Sequence, residues 1–289
     1  AEGYTFDFGP SILTLPDVFE RLFVRSGETM ADYISIHPLR PHWRNFFEDG
    51  TRFDLVPEAD AMAEQAKHVG EDPADVTEFL NYAENLYDLV ERGYFNEGLD
   101  TAAEFRQFYG LAAFPKFDLL RSMHGGVAKR LKTKYMRTVF DFFVKYVGSS
   151  AYRAPAFMNC LPTIQFRHDL WYADGGMYTI AEGLHRLMQD LEITVHLNTE
   201  VTGIAVTGDR ADGIILSGGD VVASTFVVSN MEVIPTYRDL LHEDEKFMRS
   251  MKYLEPACSG LVIDLGLDTA YPQLAHHNFF FSGDQREHF

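Results

Sequence analysis

GYTFDFGP, residues Gly3 to Pro10, is an apolar, strand-like run that ends abruptly in a Gly-Pro pair. Gly9 permits backbone conformations that other residues avoid, and Pro10 fixes φ and removes a hydrogen-bond donor, so a strand entering this stretch must stop there. A break of this kind at the end of an apolar strand is expected to have something packed against it.

Beyond the break, PDVFERLFVRSG begins a helix at Pro16-Asp17, places Val18, Leu22 and Phe23 at helical spacing and carries a stop signal at Gly27. DYISIHPL, HWRNFFED and GTRFDLV then alternate as strands do, and Asp49-Gly50 is a two-residue hairpin signal. A small antiparallel sheet is expected here. From DPADVTEFLNYAENLYDLVERGY to YMRTVFDFFVKYVG the pattern turns helical, with Phe79, Tyr82, Ala83, Leu86 and Val90 on one stripe. Next come a helix after Gly175-Gly176 and a run of short β-branched strands with Gly and Asp turns, up to VVSN. CSGLVIDLGLD and HNFFFSG supply two further strands at the end.

The order is therefore strand, mixed sheet and helices, then helix and strands. It predicts an α/β (mixed α+β) fold in which a second domain is inserted into a first: 1–12 and 170–242 for one, 13–169 and 243–289 for the other. The insertion accounts for the lack of a Pro/Gly/Ser-rich linker, and no fixed-period repeat is present.

Composition narrows the function classes. With 289 residues, 46% of them hydrophobic, the chain can build two cores. Its net charge of -18 opposes a nucleic-acid partner, which needs clustered Lys and Arg to replace counterions. Cys160 and Cys258 are too few for a disulfide framework and lack zinc-site spacing, which points to a reducing compartment. No apolar run approaches the ~20 residues that cross a bilayer, and the start has no signal-peptide pattern, so a cytoplasmic protein, at most peripherally attached to a membrane, is expected. The histidines show no ligand spacing: adjacent His276 and His277 point to opposite faces of a strand, and no metal is expected.

Four segments in order carry a resemblance. GYTFDFGPSI, WYADGGMYTIAEGL, VVSNMEVIPTYRDLL and CSGLVIDLGLDTAYPQLAHHNFFFS resemble, across nearly the whole chain, the phytoene desaturase family: bacterial-type FAD-dependent carotenoid desaturases, diapophytoene desaturases included, and their isomerase relatives. Two parts of that family are missing: the Gly-x-Gly-x-x-Gly dinucleotide motif, for which HGGVAK and LSGGDVV have the wrong spacing, and the C-terminal flavin-binding segment. The resemblance implies an internal stretch of a longer flavoprotein. It implies a partial FAD-binding, Rossmann-like domain and an inserted substrate domain that holds a long apolar polyene beside the flavin, the cofactor carrying the hydride chemistry. A polyene isomerase or saturase, or a non-catalytic carrier of prenyl lipids, would use the same fold.

By the same resemblance, Gly9, Pro10 and Ser11 pass the flavin, Gly175 and Gly176 lie where the chain returns to the cofactor domain, Val201 is the strand position that meets the adenine, and Asn230 is a further flavin-side residue. Read without it, these are a strand-ending turn, a helix-entry turn, a core valine and a turn asparagine. Asp7 is expected to satisfy local backbone groups rather than act as an acid. Substrate-channel candidates are Tyr152, Phe157, Phe166 and Trp171, which core packing would equally explain. Where some bacterial members carry an acid after Phe-Arg, this chain has Gln107, which leaves Arg106 as a charge stabiliser only and the catalytic residues unassigned. Basic residues, Lys129, Arg130, Lys132 and Lys134 among them, crowd an apolar segment near 113–137, the pattern of a membrane-facing entrance or of a solvated face on a core helix.

Overall fold

The structure is a computed structural model that describes residues 5–7, 9–99, 101–254 and 260–283. The chain divides into two units, 1–191 with 261–289, and 192–260.

In the larger unit, helix α1 (Pro16–Arg25) precedes strand β1 (Ile36–Pro38) and the hairpin β2 (Trp43–Phe47) and β3 (Arg52–Leu55). Helices α2 (Ala59–His68), α3 (Pro73–Val90), α4 (Ala102–Tyr109), α5 (Met123–Arg130), α6 (Lys134–Phe142) and α7 (Leu161–His168) follow. Strand β4 (Trp171–Ala173) and helix α8 (Tyr178–Asp190) complete that run, and a later strand, Asn278–Phe281, returns to the same unit.

Local chemistry explains most of these boundaries. The Asp72 side chain accepts from Ala74 N–H and Pro73 begins α3, an N-cap followed by a residue whose missing donor costs nothing there. Thr101 and Glu104 form a reciprocal capping box at the head of α4. Ser122 caps α5 and Thr133 caps α6. The hairpin expected at Asp49-Gly50 forms, and its loop spans three residues, Glu48 to Gly50, because Phe47 N–H reaches the Thr51 carbonyl and Gly50 N–H the Phe47 carbonyl.

Two small sheets result. One has the order β3-β2-(278–281), the last pair parallel, with Arg44 opposite Asn278 and Phe47 opposite Phe281. The other pairs β1 with β4, Ile36 opposite Ala173. The main core fills the space between the first sheet and helices α3, α5 and α6, where Trp43 stacks on Phe143 at 4.3 Å and Phe79 meets Phe140 at 4.6 Å. The stripe read on α3 is the buried one: Phe79, Ala83 and Leu86 are almost fully enclosed. A second, smaller core joins Phe23, Met30, Ile34 and Leu187.

The other unit carries an antiparallel meander, β5 (Val201–Thr207), β6 (Arg210–Leu216) and β7 (Val221–Ala223), as the β-branched runs indicate. Helical turns at Val233–Pro235 and Thr236–Leu240 come after it.

Helix α1 forms where the spacing places it, with Phe23 buried and Val18 and Leu22 47% and 46% exposed. Periodicity identifies an apolar face without saying what covers it. The opening run forms no strand over its described residues 5–7, and β1 pairs with β4 instead of joining the β2–β3 hairpin. The strand expected over CSGLVIDLGLD is absent from its described part: 260–267 has no regular structure, and Leu261 and Ile263 are 89% and 69% exposed. A strand is held by its neighbour's ladder, and none of the described residues pairs with this segment. Cys258 lies outside the described residues.

His277 links this core to pH. Its ring stacks on Phe279 at 4.7 Å and faces Trp43, and burial first, then the neighbouring His276, pushes its pKa down from 6.5 to about 4. The unfolded chain therefore binds a proton there at higher pH than the folded one, so the His277 contribution to stability is fully present above pH 6.5 and is lost as pH falls towards 4. In urea titrations of the full-length protein from pH 7 to 4, His277→Phe should flatten the loss of stability; an unchanged slope counts against this assignment.

Candidate functional site

Strand β4 sits between two partners. On one side it pairs with β1; on the other, Trp171 exchanges two backbone hydrogen bonds with Leu13, at 2.7 and 2.9 Å. This pairing carries the Gly9-Pro10 break to the end of β4, beside the turn into α8. Asp7 then ties the three together. One of its carboxyl oxygens accepts from the Tyr172 hydroxyl at 2.6 Å, and the other from Met177 N–H, at the head of α8, at 2.7 Å. The partners lie 165 and 170 residues away in the chain.

The glycines of the turn are required by this arrangement. Gly176 is buried with φ +107°, and a Cβ there would stand 3.1 Å from the Asp7 carboxyl. Gly175 also has positive φ, +90°. Both conditions exclude ordinary side chains.

Around this lock the polar groups are paired. Hydrogen bonding to Asp7 is the first cause, and burial the second, that pushes the Tyr172 phenol up to about 12, so it stays a donor at any physiological pH. His276 packs on the Tyr172 ring at 4.4 Å and contacts the Ser11 carbonyl through Nε2 at 2.8 Å. Asp174 takes the Ser35 hydroxyl at 2.5 Å and the His37 ring nitrogen at 2.6 Å, which hold its carboxyl below the usual range. The local backbone partners expected for Asp7 are replaced by the distant Tyr172 hydroxyl and Met177 N–H, which sequence reading missed, as it missed His276 beside Tyr172.

Gly9, Pro10, Ser11, Gly175 and Gly176 are thus gathered in the larger unit. Val201 opens β5 opposite Leu216, and Asn230 is an exposed residue before the helical turns; both belong to the other unit. The four channel candidates separate. Phe157 lines a cavity of 440 Å³, within the roughly 300–1,000 Å³ of small-molecule pockets. Phe166 packs in the core near Phe140 and His42, Tyr152 lies against His124 at 4.6 Å, and Trp171 is held in β4 with its indole N–H on the His168 carbonyl.

The cavity wall is built from hydrocarbon, aromatic and sulfur-bearing side chains without a charged group: Val90, Phe105, Tyr109, Phe117, Met158 and Leu161 are among them. Tyr94, Phe95, Leu119 and Val147 line it and also reach the surface, each more than two-fifths exposed. Arg106 and Gln107 lie on the exposed side of α4, outside this wall. The basic segment is largely engaged elsewhere: Arg130 lies over the Tyr82 ring at 3.5 Å, Lys132 pairs with Asp75 at 2.5 Å and Lys134 with Asp49 at 2.7 Å, while Lys129 is exposed. Among the described residues, no group of three His, Cys, Asp or Glu is placed to hold a metal ion, and no helix is long and apolar enough to cross a membrane.

Residues 1–235 match the family model described as flavin containing amine oxidoreductase, and the chain belongs to that family. The family cofactor is FAD. Among sequence relatives, the chain is 46% identical over its whole length to a 4,4'-diapolycopene oxygenase of Methylomonas sp and 40% identical over 98% of its length to a 4,4'-diaponeurosporene oxygenase of Staphylococcus aureus. It spans 58% and 57% of those proteins. Two structures of engineered putrescine oxidase share its fold at TM-scores of 0.51 and 0.52, with 13% identity, over 84% of this chain and 51% of theirs.

Residues 9–11 are exposed, and no atom comes within 4 Å of where a Gly9 side chain would start, so the surface at the break is open. Removing the lock should loosen that surface. Asp7→Ala strips the Tyr172 hydroxyl and Met177 N–H of their acceptor, a cost of about 1–3 kcal/mol where such groups are buried. In the full-length protein, Asp7→Ala and Gly176→Ala should each lower the purified FAD-to-protein absorbance ratio several-fold, with Asp7→Asn intermediate; full flavin content in both would show that the lock is unrelated to the cofactor.

Proposed function

We propose that the full-length protein is an FAD-dependent oxidoreductase of carotenoid metabolism that introduces oxygen into a linear, apolar polyene of the diapolycopene class. The observation that carries this reading is the cavity wall free of charged groups, in a chain 46% identical over its full length to a relative named for that reaction. A hydrocarbon substrate offers nothing to a charged side chain and would leave it buried without a partner. The redox chemistry belongs to bound FAD. The chain's own residues then bind, orient and exclude water: Phe157, Phe105 and Phe117 give the polyene flat apolar surface, and the exposed stretch of Gly9, Pro10 and Ser11 receives the flavin ring.

Desaturation of a phytoene-like substrate by hydride transfer is the alternative outcome on the same architecture, favoured by the motif resemblance.

A polyene of this kind resides in lipid, and we place the membrane-facing surface at the cavity mouth. Leu120 is fully exposed next to cavity-lining Leu119, and Leu111 is 71% exposed at the start of the turn that carries Phe117. Such side chains suit a membrane interface better than cations already paired to carboxylates, which leaves Lys129 as the basic contact nearest this role. The protein would then be cytoplasmic and peripherally attached.

One experiment addresses substrate, reaction and membrane together. Full-length holoprotein is mixed with liposomes carrying 4,4'-diapolycopene or, separately, phytoene, then sedimented, and the pigments are extracted and separated. Co-sedimentation with oxygenated diapolycopene products supports the reading, new double bonds in phytoene without oxygenated products would replace it with desaturation, and a Leu111→Asp/Leu120→Asp variant that still sediments fully would remove the membrane surface.

A further inference from the structure

Helix α3 does not end at Val90 but widens into a π-helical turn over Glu91–Phe95. The cause is a side chain lodged inside the helix. The hydroxyl of Tyr109, at the end of α4, donates to the Leu89 carbonyl and accepts from Gly93 N–H. Leu89 and Gly93 are four residues apart, the pair whose backbone groups an uninterrupted α-helix would join directly. A phenol oxygen thus replaces one rung of the ladder, a known origin of local helix distortion.

Gly93 makes this possible. It is buried, and a methyl group at its Cα would overlap the Tyr109 hydroxyl and ring. The residues on either side of the insertion are those that wall the cavity: Val90 before it, Tyr94 and Phe95 within the widened turn, and Phe105 and Tyr109 from α4. One extra residue in a turn rotates everything after it by roughly 100° relative to a continuous α-helix, so the wedge decides whether Tyr94 and Phe95 face the cavity. The Tyr109 ring is held from the other side by Phe105 at 4.7 Å and Phe117 at 5.0 Å, rings of the same wall.

We propose that the Tyr109–Gly93 wedge determines specificity by setting the shape of the polyene cavity, with Tyr109 acting as a positioning residue whose hydroxyl is spent inside α3 and whose ring face alone meets the ligand. This rests on the reading of the cavity as the polyene site. It places the length discrimination of the enzyme in a helix defect rather than in a polar contact.

The test uses full-length holoprotein and two apolar, rod-like fluorescent polyenes that differ in length, diphenylhexatriene and diphenyloctatetraene. Val147→Trp, which fills the exposed mouth of the cavity, reports whether the probes occupy it. Tyr109→Phe keeps the ring and lets the Leu89–Gly93 rung re-form, while Gly93→Ala forces the hydroxyl out. Each is expected to change the ratio of the two affinities by about three- to tenfold, a hydrogen bond's worth, with helicity by circular dichroism and FAD content retained. An unchanged ratio in Tyr109→Phe, or equal weakening of both probes, overturns the wedge as a specificity device while Val147→Trp still abolishes binding. Probe binding indifferent to Val147→Trp overturns the cavity assignment itself.

Discussion

The Asp7 carboxyl joins the Gly9-Pro10 break, strand β4 and the head of helix α8, and the geometry of the exposed stretch at 9–11 depends on it. Two hydrogen bonds, to a phenol and to a backbone N–H, span separations of 165 and 170 residues, so they form only once most of the larger unit has folded. Gly176 leaves the room, Tyr172 supplies the donor, and His276 braces the Tyr172 ring while its nitrogen meets the Ser11 carbonyl. The polar groups around the break are paired with one another, and residues 9–11 stay exposed beside them.

The chemistry divides accordingly. Polar groups cluster at the break and are used to fix backbone; the cavity between α3, α4 and α7 has almost none and offers shape. Where a polar group does approach that cavity, as the Tyr109 hydroxyl does, it is consumed by the helix backbone. A cavity of this kind can select a ligand only by fit against apolar surface.

The sequence disclosed these features unevenly, for physical reasons. The hairpin was legible because Asp49-Gly50 is a local signal, and α3 because its stripe repeats for about three turns. The bend at Gly9 was legible, but residues 5–7 form no strand before it, and nothing local in Asp7 points to Met177. Helix α1 was legible from its spacing, while the exposure of Val18 and Leu22 was not, because an apolar face is visible in sequence and its covering is not. Aromatic density between 151 and 172 suggested a channel, yet three of those four rings serve packing and only Phe157 reaches the cavity. A better signal stood in ERGYF: a glycine interrupting a strong helical pattern just before two aromatics, with Phe105 and Tyr109 one helical turn apart in a following helix. The basic segment was visible as charge, but its carboxylate partners Asp49 and Asp75 lie in distant elements.

The most direct measurement is a crystal structure of the full-length protein with FAD and a linear polyene bound. The expected result is an isoalloxazine ring lying against the main chain of Gly9–Ser11 with the Asp7 contacts to Tyr172 and Met177 intact, and a polyene end within the Phe157–Tyr109 cavity. A flavin ring seated away from the Gly9-Pro10 break, or a polyene that bypasses that cavity, would contradict it.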